Sequence, residues 1–393
     1  MQALQLTKFG DPGDSVSLVS RHTRQPGAGE LLIDVHAAPV HPSDINLIRG
    51  FYGLRPELPM DLGADGVGTV VQAGSAADHR LIGRRVILIP TYEHGTWAEK
   101  TVADKRSAVV VDDHADLAQL ALLGVTPITA QLLLTKYEQL KPGDWIAQTG
   151  ANSSVGQYII QLARLAQVQT INLVRREAAA AEVLAAGGDR AIIVGDDLPK
   201  QLQDVLGGNE LALVLDSVGG PAITELAHHL RYGGKLVTYG ALGGQPTEID
   251  VRRDLIYRDL SQHGFWMSNW LQRTPREEIE STYRSIVDLV GRGELTARID
   301  ETFPLSRYRE ALARAEHYER LGKVVFQPDC RKVASTALPC RDRLETAARA
   351  DLRDRSNSIL CNASVPMTSG RTSELDDRRA SHPALARRLL RHG

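Results

Sequence analysis

Between residues 145 and 176 the period of the apolar positions changes twice. Trp145 to Thr149 is a continuous strand-like run, and it enters a turn of small residues, Gly150-Ala151-Asn152-Ser153-Ser154-Val155-Gly156. Beyond the turn, Val155, Ile159, Leu162, Ala163 and Ala166 recur at spacings of three and four, which predicts one buried helix face. Thr170 to Val174 is again continuous and ends in Arg175-Arg176. Strand, tight turn, helix and strand make a βαβ unit, the element on which dinucleotides bind. The turn must bring backbone N–H groups and the positive end of the helix close to a pyrophosphate, so its residues must be small. Asn152, Ser153, Ser154, Val155 and Gly156 are the expected phosphate contacts. Ser153 and Ser154 stand where the G-x-G-x-x-G pattern commonly has glycine, but a hydroxyl can donate to a phosphate oxygen.

The same pattern reading divides the rest of the chain. Up to about residue 120, short β segments alternate with glycine and proline punctuation: Leu4–Lys8, Val16–Ser20, Leu31–Ala37, Gly68–Gln72, Arg85–Ile89 and Trp97–Val102. That texture predicts an antiparallel, barrel-like domain. Leu117 to Leu134 is an apolar helix interrupted at Pro127. Strands at Ala191–Val194, Leu211–Leu215, Lys235–Tyr239 and His263–Trp266 then alternate with helices at Glu177–Ala186, Leu198–Leu206 and Pro221–Leu230. With the first two strands this makes an α/β unit, a doubly wound sheet of six parallel strands. A long amphipathic helix, Glu277–Gly291, precedes strands at Ile299–Phe303 and Val324–Phe326 that return the chain to the first domain. The expected organisation is a catalytic domain of residues 1–120 and 270–328 with a Rossmann cofactor domain, 121–269, inserted in it. Residues 329–393 are arginine-dense with scattered apolar positions, and read as a mostly disordered extension in which a short helix such as Leu344–Leu352 is possible. A shifted reading frame would give that stretch the same appearance.

Composition narrows the class. A hydrophobic fraction of 42% and a charged fraction of 24% are ordinary for a globular chain of 393 residues. A formal charge of −2 offers no electrostatic case for nucleic acid. No apolar run is long enough to span a membrane, and the first residues lack the features of a signal or transit segment. A cytoplasmic, prokaryotic enzyme is the default expectation. The three cysteines, Cys330, Cys340 and Cys361, build neither a zinc lobe nor a disulfide framework.

The end of the second βαβ strand selects the cofactor. An NAD site places a carboxylate about 20 residues beyond the glycines, to accept from the ribose hydroxyls. The position nineteen residues after Gly156 is Arg175, a permanent cation without an acceptor. Arg175 and Arg176 therefore suit the 2′-phosphate of NADPH.

A β-rich first domain, an inserted Rossmann domain and a C-terminal return resemble the medium-chain dehydrogenase/reductase superfamily, whose first domain is GroES-like. Within it the stretches HPSDINLIRGFYGLRPELP, LGVTPITAQLLL, ANSSVGQ, NLVRR, LVTYGAL, GFWMSNW and GKVVF are most similar to the mitochondrial-type trans-2-enoyl thioester reductases. They cover nearly all of residues 1–328 in the family's order. The zinc-dependent alcohol dehydrogenases of the superfamily hold their metal with an early cysteine and a His-Glu pair. Here the corresponding regions read Pro39-Val40-His41-Pro42-Ser43-Asp44 and Gly63-Ala64-Asp65-Gly66. His41 and Asp65 alone do not supply three protein ligands, so no metal site is expected.

The resemblance implies that Tyr52, in the loop Phe51 to Pro59, is catalytic. Hydride addition to Cβ of an α,β-unsaturated thioester puts negative charge on the carbonyl oxygen and Cα, and a phenol can hydrogen-bond that enolate or protonate it. It also implies that Trp266 lies close to the substrate. Phe265, Trp266 and Met267 would contact the cofactor, with Tyr239, Gly240, Ala241 and Leu242 bordering the nicotinamide. Thr126 would lie near the ring, where the family commonly has asparagine, and Lys323 near the cofactor phosphates; a surface lysine is the plainer alternative. The expected reaction is NADPH-dependent reduction of the C2=C3 bond of a trans-2-enoyl chain on coenzyme A or acyl carrier protein, by a homodimer. A quinone oxidoreductase or general alkene reductase is the competing enzyme reading, and a non-catalytic NADPH sensor the competing reading of another class.

Overall fold

Turn residues cut the first 110 residues into short strands that can pair only antiparallel to their neighbours. In the computed structural model, which describes residues 1–111, 116–317 and 319–328, they form a three-stranded sheet and five strands of a seven-stranded one. The long strand Glu30–Pro39 is the centre of the larger sheet, pairing antiparallel with Gly66–Ala73 and Lys100–Asp104. The returning strand Lys323–Phe326 joins the same sheet, with Val325 opposite Pro39 and Phe326 opposite Ala38. The antiparallel register therefore carries Lys323 to the position across from His41. The expected extension beyond Pro328, with its cysteines and its possible short helix, lies outside the described residues.

The cofactor domain has six parallel strands: β1 (Trp145–Thr149), β2 (Gln169–Val174), β3 (Arg190–Ile193), β4 (Leu211–Asp216), β5 (Leu230–Thr238) and β6 (Ser261–Gly264), in the order β3-β2-β1-β4-β5-β6. This is the doubly wound sheet that the alternating pattern predicts. Its strand order reverses beside β1, which puts the crevice at the carboxyl ends of β1 and β4. Ile159, Leu162, Ala163 and Ala166 of the helix Ser154–Leu165 and its cap are buried as predicted, while Val155 is half-buried at the turn. The long helix Arg276–Gly291 buries Ile279, Tyr283, Ile286 and Leu289 in the same core as Leu132 and Ile159.

Four expectations need correction. Pro127 does not interrupt the helix. One helix ends at Ala121, Leu122–Gly124 is a 3-10 turn, and a second helix, Thr126–Thr135, starts with Pro127 in its first turn, where the missing N–H costs nothing. The break belongs to Gly124, where an added Cβ would stand 2.3 Å from Cβ of Asp65. The strand expected from Trp97 begins at Lys100, because Trp97 is fully buried with its indole N–H bonded to Pro39 O and its backbone N–H to Leu62 O. The strand expected to reach Trp266 ends at Gly264, and Trp266 caps a further helix, Met267–Arg273. The pattern reading also omits the helix Pro42–Arg49, whose signals are present: Pro42 in its first turn, Asp44 accepting from the His41 N–H at 2.7 Å, and Gly50 in the left-handed conformation at its end.

Candidate active site

The omitted helix is what positions Tyr52. Gly50 turns the chain at φ 79°, and the N–H groups of Phe51 and Tyr52 both bond Asn46 O, at 2.8 and 3.2 Å. The Tyr52 ring is half-buried against Tyr92, with centroids 5.5 Å apart. From the other domain, Trp266 meets it edge-on at 5.8 Å and donates its indole N–H to Tyr52 Oη at 2.8 Å. An added Cβ on Gly53 would stand 3.1 Å from two indole carbons, so the loop's glycine makes room for the tryptophan. In accepting from the indole, Oη keeps the phenol's own proton to donate. Trp266 is 36% exposed, whereas the side chains of its neighbours Phe265 and Met267 are packed into the core.

The phosphate turn combines tight geometry with open donors. Gly150 has φ 59°, and Gly156 packs so closely on Ala151 that a Cβ would stand 2.4 Å from the Ala151 carbonyl oxygen. Ser153 caps the helix by accepting from the Gly156 N–H at 3.1 Å, which leaves its hydroxyl proton to donate. Asn152, Ser153, Ser154 and Val155 are all half-buried around the positive end of a 12-residue helix. A connection missed in the sequence is Ser217. A Cβ on Gly150 would stand 2.5 Å from its hydroxyl, and one on Gly240 would stand 2.9 Å from its carbonyl oxygen. The loop after β4 thus joins the phosphate turn to the Tyr239–Leu242 stretch after β5. Ala241 and Leu242 are exposed there, and burial pushes the Tyr239 phenol up to about 12. At the end of β2, Arg175 is exposed, while Nη2 of Arg176 is shielded from solvent and makes no hydrogen bond. A guanidinium donor held in that state fits an anion such as a 2′-phosphate.

Lys323 is not a surface residue. It is 6% exposed, with Nζ 2.8 Å from His41 Nδ1, and burial lowers its ammonium to about 8. His41 Nε2 lies 2.8 Å from Asp65 Oδ1, so both ring nitrogens are engaged. Asp44 and Asp65 each keep one buried carboxylate oxygen without a hydrogen bond. Desolvation raises the Asp44 carboxyl to about 6, and burial, with a smaller contribution from the same carboxylate, pushes the Tyr92 phenol well above its usual range. Thr126, buried at the start of its helix, also has an unbonded hydroxyl. Among the described residues no three His, Cys, Asp or Glu side chains cluster as metal ligands would. The structure therefore brings Tyr52 and Trp266 together at the carboxyl edge of the sheet. It gives Lys323 a bonded place beside His41.

Two family models match the chain: the alcohol dehydrogenase GroES-like domain over residues 27–113, and zinc-binding dehydrogenase over residues 154–286. Among curated proteins, the mitochondrial enoyl-[acyl-carrier-protein] reductase of Bos taurus is 36% identical over 321 residues, covering 79% of this chain and 84% of the relative. That of Xenopus tropicalis is 34% identical over 319 residues, covering 79% and 91%. Among solved structures, a mycobacterial quinone oxidoreductase is 26% identical with a TM-score of 0.74, covering 84% of this chain and 100% of that one. Mycobacterial Rv1454c, solved in complex with NADPH, gives the same values.

Proposed function

This chain belongs to the medium-chain dehydrogenase/reductase superfamily, in the family of the mitochondrial enoyl reductases, and on that premise we propose that it is an NADPH-dependent enoyl thioester reductase. The observation that carries the reading is the hydrogen bond from Trp266 Nε1 to Tyr52 Oη, made across the two domains at the edge where the nicotinamide of a Rossmann fold lies. When bound, the nicotinamide supplies a hydride to Cβ of the enoyl chain. The chain's own residues handle the remaining half of the reaction. Tyr52 directs its phenolic proton at the carbonyl oxygen, where negative charge develops, or delivers a proton to Cα. Trp266 fixes Oη by donating to it and covers the hydride path against water. Arg176, with Arg175 beside it, receives the 2′-phosphate, and the donors of Asn152 to Gly156 receive the pyrophosphate.

The likeness to a quinone oxidoreductase of the same fold supports a second reading, reduction of a quinone on this scaffold. Steady-state NADPH oxidation with crotonyl-CoA and with a naphthoquinone separates the two. The enoyl reading expects turnover of the thioester, and turnover of the quinone alone overturns it. The same panel with NADH tests the arginines, because equal use of both nucleotides removes the role given to Arg175 and Arg176.

A further inference from the structure

Trp266 also lines a cleft in which Tyr52 takes no part, with a volume of about 330 Å³. Trp266, Trp270 and Tyr137 form its aromatic walls, and Lys136, Arg273 and Glu278 bring charge to it. Several arginines elsewhere in the molecule are matched to carboxylates, among them Arg231 to Glu138, Arg253 and Arg258 to Asp254, and Arg314 to Asp300. Neither Lys136 Nζ nor the Arg273 guanidinium has a hydrogen-bond or ion-pair partner among the described residues, and both side chains are exposed. Glu278, on the next helix, lines the cleft without pairing to either, so two cations face it against one carboxylate. We propose that this cleft holds the phosphopantetheine arm of the substrate, with Arg273 and Lys136 binding the phosphate at the arm's end; the proposal rests on the enoyl thioester reading above.

The dimensions and chemistry agree. Trp266 is a wall of both sites, so an arm whose thioester lies at Tyr52 enters the cleft over the indole. Arg273 ends the seven-residue helix that Trp266 caps, about 10 Å further along at 1.5 Å per residue. The reach of a long arginine side chain adds to that. An extended pantetheine arm has roughly the length of a five-residue peptide, about 17 Å at 3.3–3.6 Å per residue. The arm is methyl and methylene groups broken by two amides, which suits aromatic walls with a polar rim. Its end is a phosphate, for which guanidinium supplies a fork of donors and ammonium a point charge. Free coenzyme A and a carrier protein share that phosphate.

The test compares the parent with Arg273→Ala, Lys136→Ala and the double variant on three crotonyl thioesters: coenzyme A, acyl carrier protein and N-acetylcysteamine, which has no phosphate. The double variant is expected to raise KM for the phosphate-bearing thioesters by about 10- to 100-fold, from the loss of charge-assisted bonds, with kcat retained. kcat/KM for the N-acetylcysteamine thioester stays at the parent's value. Equal weakening with coenzyme A and carrier protein locates the contact at the shared phosphate and supports the proposal; weakening with coenzyme A alone locates it at the nucleotide phosphates and overturns it. Unchanged KM on all three thioesters, or an equal change on all three, overturns it. Should the parent reduce no enoyl thioester, it is the functional reading that fails. Calorimetric titration with coenzyme A then decides for the cleft: binding lost in the double variant supports it, and no binding to the parent overturns it.

Discussion

Tyr52→Phe separates the chemistry of the phenol from its packing. The substitution removes one oxygen and keeps the ring, so the contacts with Tyr92 at 5.5 Å and Trp266 at 5.8 Å survive. The hydrogen bond from the indole, at 2.8 Å and in an exposed setting, is lost to the fold, together with the hydrogen bond between the Tyr52 and Tyr92 phenols. A neutral bond of that kind contributes about 0.5–1.5 kcal/mol net. The midpoint of thermal unfolding should fall by no more than about 6 °C per bond lost, since 1 kcal/mol moves a domain of this size class by roughly 2–4 °C. The catalytic loss is larger. Removing one preorganised donor from a developing oxyanion costs about 10²–10³ in kcat, or about 3–4 kcal/mol. Single-turnover NADPH oxidation with crotonyl-CoA measures the step directly, and an NADPH titration checks that cofactor affinity is unchanged. A Phe variant that reduces crotonyl-CoA at the parent's rate would refute the role given to Tyr52. An equally large fall in stability and in rate would reduce that role to packing.

Three further outcomes follow from the geometry. Gly53→Ala places a methyl 3.1 Å from two indole carbons on an exposed loop, so stability should hold while displacement of Trp266 lowers kcat by about tenfold or more; an unchanged kcat would show that the indole's position is immaterial. Arg176→Ala should raise KM for NADPH by about 10- to 100-fold and leave NADH untouched, as expected for one charge-assisted bond, and a parallel change for both nucleotides would sink the assignment. Desolvation raises the Asp44 carboxyl to about 6, so between pH 4 and that value the native state holds a proton that the unfolded chain releases. Stability should therefore decline as pH rises through that window, by at most about 3 kcal/mol at 1.36 kcal/mol per unit, and level off above it. Asp44→Asn keeps an acceptor for the His41 N–H and should flatten the slope; denaturant titrations that show no decline in the parent would contradict the burial argument.

How much was legible depended on the range of the interaction. The period change around residue 150 sufficed for the βαβ unit, and the alternation after it for six parallel strands, because apolar spacing along one chain is itself the pattern of burial. The helix Pro42–Arg49 was written in local signals as well, although only Pro42 and Asp44 within it and Gly50 just past its end carry them. The break in the apolar helix was not local. Pro127 is the conspicuous residue, yet the chain turns at Gly124, because Asp65, distant in sequence, leaves no space for a side chain there.

The site divides in the same way. Sequence alone determined which residues could do chemistry: a phenol between turn-formers, a tryptophan after the last sheet strand, and arginines where a carboxylate would favour NAD. Their meeting was a tertiary decision. Tyr52 and Trp266 are separated by 214 positions and belong to different domains, and only the packing of one domain on the other brings Oη within 2.8 Å of the indole nitrogen. Lys323 shows the same limit from the other direction. A lone lysine has no periodicity that reveals burial, and it was the antiparallel register of Lys323–Phe326 on Glu30–Pro39 that set it against His41 and Asp65. Local spacing records which face of an element is buried; which distant side chain it meets there depends on strand register and domain packing, and neither is encoded in any one stretch of the chain.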